Sequence, residues 1–291
     1  MLSMIVDGLE SKSFEIALFG RVNSGKSSLL NAIIQSEILP VGVNPVTAVP
    51  TRLMYAPAPR LTVRYADKNP EPFETSELSE FVTEQHNPAN VKHVTQVVVE
   101  LPSPRLSDGV VFVDTPGLGS LATSGAAETL AYLPRCDLGI VLIDAGSTLT
   151  EDDLSIIRAL YQAGVPVSAL LSKSDLLAMN DRAQSLAYVS QQITAQLGLN
   201  LRVCPVSVRP THFGLLDDWF KQYILPLYER HQELAQESLR RKIGVLREAV
   251  QTALRTRLER SETKSNLRQT DIAGIDERLR NAAGCFADAR R

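Results

Sequence analysis

The chain has 291 residues, 44% of them hydrophobic and 22% charged, which suits one large α/β domain with a smaller appendage. Its formal charge of −3 is unevenly divided, with 13 basic and 9 acidic side chains in 231–291 against 17 and 24 in 1–230; so mild a surplus argues against a nucleic-acid binder and points only to an acidic partner or anionic surface. Cys136, Cys204 and Cys285 are too few and too scattered for a disulfide framework, no metal-ligand cluster shows, and no stretch has the roughly 18 apolar residues of a membrane span or the form of a secretion signal, so a soluble cytoplasmic protein with reduced thiols is expected.

Residues 1–12 set Leu2, Ile5, Val6 and Leu9 at helical spacing, one or two turns that need a partner to pack on. Phe14–Phe19 reads as a buried strand and Ser27–Ile34 as an amphipathic helix. Between them stands Gly20-Arg21-Val22-Asn23-Ser24-Gly25-Lys26-Ser27, a Gly-x4-Gly-Lys-Ser phosphate-binding loop in the strand–loop–helix setting that motif requires. Gly20 and Gly25 let the backbone turn tightly, so that the amides of Asn23, Ser24 and Gly25, with Ser28 in the following turn, converge on phosphate oxygens at a helix N-terminus. Lys26 reaches the β and γ phosphates, and the Ser27 hydroxyl binds Mg²⁺.

Residues 38–50 hold three prolines and a glycine, which stop any regular element. A loop this long in a compact domain is usually functional, and it falls about twenty residues beyond Lys26, where a nucleotide switch crosses the γ-phosphate; Thr47 is its candidate metal and phosphate sensor. Two strands are expected in 51–65, a helix at Ser76–Gln85 and a strand at Val94–Leu101. Val110–Asp114 is a further buried strand leading into Asp114-Thr115-Pro116-Gly117. A carboxylate at the C-terminal end of such a strand faces the ligand crevice, so Asp114 is placed to hold Mg²⁺ through water and the Gly117 N–H to meet the γ-phosphate.

Leu138–Asp144 and Pro166–Leu171 are short apolar strands, followed by helix signals at Thr150–Ala163 and Asp181–Leu197; the alternation implies a mostly parallel sheet covered on both faces. After the second of these strands comes Ser172-Lys173-Ser174-Asp175, where an aspartate can accept from guanine N1 and N2 while the lysine stem lies along the base. A last strand, Leu201–Val206, ends at Ser207 and Val208, whose amides can meet guanine O6. From about Phe213 onward the chain is helical in character, with Leu227, Leu234, Leu239, Ile243, Leu246, Val250, Leu254 and Leu258 in a stripe that must bury against something. A helix projecting to join a bundle with the N-terminal helix is favoured, with 271–291 part of a second helix.

Taken together, these segments resemble the GTPase domain of dynamin-related proteins, most of all the bacterial members, over roughly residues 12–230. The specific part is Pro45-Val46-Thr47-Ala48-Val49-Pro50-Thr51, with Asp114 lying 67 positions beyond Thr47, where small GTPases have a much shorter interval. The resemblance implies a P-loop GTPase domain with an extended, mostly parallel central sheet flanked by helices, and a C-terminal helical neck. It divides the chain into a neck helix at 1–12, the GTPase domain at 13–230 and a neck segment at 231–291. By position Lys26 and the loop amides bind phosphate, Ser27 and Thr47 bind Mg²⁺, Asp114 and Gly117 sense the γ-phosphate, and Lys173 with Asp175 select guanine. Leu118 stands where Ras-like enzymes carry a water-orienting glutamine. The resemblance supplies a substitute: dimerisation across the nucleotide faces, which fixes a phosphate-loop residue, Asn23 or alternatively Arg21.

The expectation is therefore a GTP hydrolase that works as a nucleotide-dependent homodimer, peripheral to the inner face of a membrane that the intact protein remodels. Sixty residues after the domain cannot supply a full stalk and membrane tip, so the chain is expected to be a fragment or a minimal GTPase with its neck. A nucleotide-controlled interaction module that recruits a protein partner is the alternative, and a ribosome- or RNA-associated GTPase of the Era type is a third reading, disfavoured by the long interval after Thr47 and the lack of a basic RNA-binding module.

Overall fold

A computed structural model of the protein describes residues 13–42, 49–107, 109–117, 132–133, 135–147, 149–248 and 250–257. Thr47, Leu118, residues 1–12 and the segment from 258 onward, which contains the expected second neck helix and Cys285, lie outside them. The chain divides into two compact units, Met1–Lys242 and Ile243–Arg291.

The first unit is built on nine strands: β1 (Phe14–Phe19), β2 (Thr51–Tyr55), β3 (Arg60–Tyr65), β4 (Glu71–Phe73), β5 (Val94–Leu101), β6 (Val110–Asp114), β7 (Leu138–Asp144), β8 (Val167–Ser172) and β9 (Val203–Pro205). They form one sheet in the order β4-β3-β5-β2-β6-β1-β7-β8-β9, with five of the eight neighbouring pairs parallel. The half from β6 to β9 runs one way throughout, whereas β2 pairs antiparallel with β6, and β5 follows the direction of β2. The long interval between switch and Asp114 is thus an extension of the sheet by β2 to β5, as the resemblance implied. Its helix is shorter than expected: a 3-10 turn at Thr75–Glu77 and a single α-helical turn, α2 (Ser79–Val82). Thr83 ends it in an extended conformation, its hydroxyl turned back onto the Ser79 carbonyl at 2.8 Å. The edge strand β4 was not foreseen, because Pro72 demotes an apolar run; proline is tolerated there because an edge strand need not donate outward.

β1 and β6 are near-continuous apolar runs because both of their faces are covered. Alternate side chains enter two cores. Ile16, Leu18 and Phe112 meet Leu29, Leu30, Ile33 and Ile34 of α1 (Lys26–Ile34) on one face. Ala17, Phe19, Val111 and Val113 meet Ile156, Ile157 and Leu160 of α3 (Glu151–Gln162) and Val189 and Ile193 of α4 (Met179–Leu197) on the other. Leu216 of α5 (Phe213–Trp219) joins the first core together with Trp219, Phe220 and Ile224, the last two in a π-helical turn that continues α5 toward α6 (Leu225–Glu229). Truncating a wholly buried residue such as Leu30 or Ile33 to alanine costs about 2–5 kcal/mol by transfer and cavity terms. Cys136 and Cys204 are buried free thiols.

Residues 231–242 are helical and are held to the first unit at the N-terminal ends of the central strands. Asp137, just before β7, accepts from the Glu15 N–H (2.8 Å), the Ser238 hydroxyl (2.5 Å) and the Lys242 ammonium (2.6 Å), and Lys242 also donates to the Arg135 carbonyl at 2.8 Å. In the second unit, 243–248 and 250–257 are helical, with Ile243, Val250 and Leu254 exposed. Among the described residues no helix is long and apolar enough to cross a membrane.

Candidate functional site

The site lies at the C-terminal ends of β1, β6, β7 and β8. Gly20 leaves β1 with φ +147°, and a Cβ there would come within 2.7 Å of both the Leu142 carbonyl oxygen and Ser24 Oγ, so only glycine fits. Gly25 caps α1 in the left-handed conformation at φ 95°, and Asn23 is left-handed as well at φ 64°. Lys26, the first residue of α1, folds back over this loop: its ammonium donates to the carbonyls of Gly20 (3.0 Å) and Arg21 (3.1 Å). Burial pulls its pKa down to about 8, against the opposing pull of the Asp114 carboxylate. A buried ammonium bonded to backbone carbonyls is in place to exchange them for phosphate oxygens. Ser24 Oγ is buried and has no hydrogen-bond partner among the described residues, a second polar atom left over for a ligand.

Ser27 Oγ donates to Asp114 Oδ2 at 2.7 Å, which joins the first turn of α1 to the end of β6. Two hard oxygen donors brought together beside the phosphate loop suit Mg²⁺, which takes one or two protein oxygens and completes its shell with water and phosphate. The residues present therefore fit the Mg²⁺ expected from the sequence. Gly117 approaches the loop closely: a Cβ on it would fall 2.9 Å from the backbone nitrogen and Cα of Val22. Leu39 and Val49, on either side of the switch segment, are buried, and Leu39 is tied to α1 in both directions through the Asn31 amide, at 2.8 and 2.9 Å.

The tetrapeptide Ser172–Asp175 is joined to this loop. The Ser172 hydroxyl, at the end of β8, donates to the Ser24 carbonyl at 2.8 Å. Lys173 is left-handed at φ 54°, and its ammonium meets Asp144 Oδ2, at the end of β7, at 2.6 Å. The Ser174 N–H bonds the Val206 carbonyl at 3.1 Å, and Asp175 Oδ1 accepts from the Ser207 hydroxyl at 2.6 Å while Arg209 lies 3.7 Å from Oδ2. A cavity of about 200 Å³ runs between the two loops, with Ser24, Gly25 and Ser28 at one end and Lys173, Asp175, Ser207 and Val208 at the other.

Of the residues singled out in the sequence, Ser24, Gly25, Ser28, Lys173, Asp175, Ser207 and Val208 line one cavity, Lys26 and Ser27 follow Gly25 directly in α1 with Asp114 bonded to Ser27, and Thr47 lies outside the described residues. Sequence reasoning missed Ser172, Arg209 and Asp144. Asp144 carried a usable signal, since it ends a parallel strand just as Asp114 does. The Arg21 guanidinium, the alternative to Asn23 in the sequence reading, is bound to Ser147 and Asp153, outside the loop.

A parallel half-sheet with a glycine-bounded loop, a buried lysine and a serine–aspartate pair beside it is the arrangement of a phosphate-loop nucleotide-binding domain. The family model described as the dynamin family matches residues 16–172, more than half of the chain. The chain belongs to the dynamin family. It is 34% identical over 179 residues to dynamin-like protein 2 of Campylobacter jejuni, covering 61% of this chain and 28% of that protein. To the bacterial dynamin-like protein of Nostoc punctiforme it is 30% identical over 152 residues, 49% of this chain and 22% of the other. A solved structure of an oligomerised bacterial dynamin pair, described as a mechanism for long-range sensing and tethering of membranes, superposes with a TM-score of 0.60 at 23% identity over 83% of this chain and 38% of that one. The chain spans from 21% to 61% of the length of the curated relatives it matches.

Proposed function

We propose that the chain hydrolyses GTP with Mg²⁺ bound at Ser27, Thr47 and Asp114, and that turnover rises when two copies meet across their nucleotide faces. The observation that carries this reading is that Lys26 and Ser27, the latter bonded to Asp114, open α1 next to Ser24, Gly25 and Ser28, which share one cavity with Lys173 and Asp175. In it, the amides of Gly20 to Ser28 and the Lys26 ammonium hold the phosphates, the Gly117 N–H meets the γ-phosphate, and Lys173 with Asp175 select guanine. Ser207 orients the Asp175 carboxylate, and the Ser207 and Val208 amides face guanine O6. Ser27, Thr47 and Asp114 would hold Mg²⁺, which would supply positive charge against the phosphates.

A lone copy has little with which to orient water. Leu118 stands in the glutamine position, and the Arg21 guanidinium is committed to Ser147 and Asp153. Asn23, left-handed in the loop, is the residue a second copy would fix against the transferring phosphoryl group. The assembly of related bacterial dynamins as oligomerised pairs supports the same reading. In the intact protein this turnover drives membrane remodelling from the cytoplasmic side, with the chain peripheral to the bilayer.

Turnover measured against protein concentration, with and without acidic liposomes, and light scattering after size exclusion in each nucleotide state test the proposal. Specific activity should rise with concentration, and GDP·AlF₄⁻ should produce a dimer where GDP does not, because a site complementary to the transition state gains affinity only with its mimic. Concentration-independent turnover together with a monomer in GDP·AlF₄⁻ overturns the dimer and favours an interaction module that recruits a partner.

A further inference from the structure

Arg21 belongs to the phosphate loop, yet its side chain is spent elsewhere. Nη2 donates to Ser147 Oγ in the turn after β7, and Nε lies 3.4 Å from Asp153 Oδ1 in the first turn of α3. Asp153 is wholly buried. Its Oδ2 accepts from the Thr150 N–H (3.0 Å) and hydroxyl (2.8 Å), which closes the capping box of α3, whereas Oδ1 makes no hydrogen bond among the described residues and has the Arg21 guanidinium set against it. A carboxylate this buried is costly to keep charged unless a cation faces it. Helix capping uses one oxygen and leaves the other for Arg21.

The backbone of the same residue serves the site. The Arg21 carbonyl accepts from the Lys26 ammonium and from the Ser24 N–H, both at 3.1 Å. The next residue, Val22, is the wall against which Gly117 packs without room for a Cβ. Segment 21–22 therefore touches both groups that are to meet the γ-phosphate, and its side-chain end is anchored 132 residues away in sequence.

We propose that Asp153, assisted by Ser147, is a positioning residue for GTP hydrolysis: it holds Arg21 from outside, so that segment 21–22 keeps Lys26 and Gly117 in register for the γ-phosphate. The inference rests on the reading of Lys26 and Gly117 as phosphate contacts. It gives Arg21 a structural task toward the loop in place of direct contact with the phosphoryl group. Donors aimed at developing charge are effective only while held still, and GDP has no γ-phosphate to register the drift. Loss of the brace should therefore appear in kcat more than in GDP affinity.

The test compares Asp153→Asn, Arg21→Gln, their double variant, Arg21→Lys, a Glu151→Gln control on the exposed side of the same helix turn, and Lys26→Ala, by single-turnover GTP hydrolysis, fluorescent GDP binding and thermal melting. Asparagine keeps an oxygen for Thr150 but turns a donor toward Arg21, so the cap survives and the brace does not. Asp153→Asn and Arg21→Gln should each lower kcat about tenfold while weakening GDP by less than about threefold. The double variant should be no worse than either single one. Arg21→Lys should recover part of the loss, and Glu151→Gln should match the parent. Full kcat in Asp153→Asn, or losses that multiply in the double variant, overturns the proposal, as does a fall in kcat and GDP affinity in equal proportion with a lower melting temperature. If Lys26→Ala binds GDP normally, the site reading itself fails; if Lys26→Ala loses GDP while Asp153→Asn keeps full kcat, the site stands and the brace alone falls.

Discussion

At the C-terminal ends of β1, β6, β7 and β8, charge and hydrogen-bonding capacity are held open: an ammonium rests on two carbonyls, Ser24 Oγ has no partner among the described residues, and three loop residues sit at positive φ. At the opposite ends of the same strands, charged side chains are paired with one another. Asp137 is met by Glu15, Ser238 and Lys242, and Arg105 pairs with Asp217 at 2.6 Å and lies over the Phe220 ring. The two ends share a core and a set of strands but differ in what their buried charges face. One end gives up stability to be ready for a ligand, and the other uses the same kinds of group to fasten a helix to the sheet.

If that division is real, substitutions at the two ends should separate binding from stability. The largest effect is expected from Lys26→Met, which should abolish detectable GDP binding in a fluorescence titration yet raise the melting temperature of the nucleotide-free protein, because a buried charge that burial already disfavours is removed. A lower melting temperature would mean that the carbonyl contacts of Lys26 contribute more than the burial of its charge costs. Next, Asp137→Ala should cost about 3 kcal/mol in urea unfolding by leaving the Lys242 ammonium buried without its carboxylate. GDP affinity of the folded protein should stay unchanged, and a parallel loss of affinity would show that the ends are coupled.

Asp175→Ala should reduce the preference for GDP over ADP by roughly 10- to 100-fold, since each guanine donor left unpaired costs about 1–3 kcal/mol. Competition binding with the two diphosphates reads this directly, and an unchanged ratio would remove Asp175 from base selection. The smallest effect belongs to Asp217→Ala. Its ion pair with Arg105 is about one-third exposed on the aspartate side, so a loss of about 0.5–1 kcal/mol is expected in the same unfolding assay. A loss as large as that of Asp137→Ala would place the Arg105 contact in the core of the helix attachment.

The open end was the more legible of the two in the sequence. A phosphate loop is a run of eight neighbouring residues whose chemistry is local, and Asp114, Lys173 and Asp175 follow apolar strands that show as such. What could not be read was whatever joins these pieces. The Arg21–Asp153 contact spans 132 residues, Ser172 to Ser24 spans 148 and Lys173 to Asp144 spans 29. None leaves a periodic trace, because each depends on which strand ends the sheet order sets side by side. The closed end was illegible for the same reason, and Asp137 reads in isolation as an ordinary loop carboxylate. The strand reversal at β2 was hidden too, since an apolar strand does not announce its direction.

That reversal settles which way the outer strands run. β3 returns in the direction of β1, so the exposed turn at 66–70 rises on the side of the crevice, four strand spacings or about 19 Å from β1. Lys68 steadies the turn, paired with Glu71 at 2.8 Å and lying 3.8 Å above the Tyr65 ring. A dye on Asp67→Cys would sit on a firm mount outside the chemistry, and with Cys136 and Cys204 buried only Cys285 would need replacing. Paired with a ribose-labelled nucleotide it forms an optical ruler: within one copy the separation is set by strand spacing, so any second distance that appears with GDP·AlF₄⁻ measures how a neighbouring copy is mounted over the crevice.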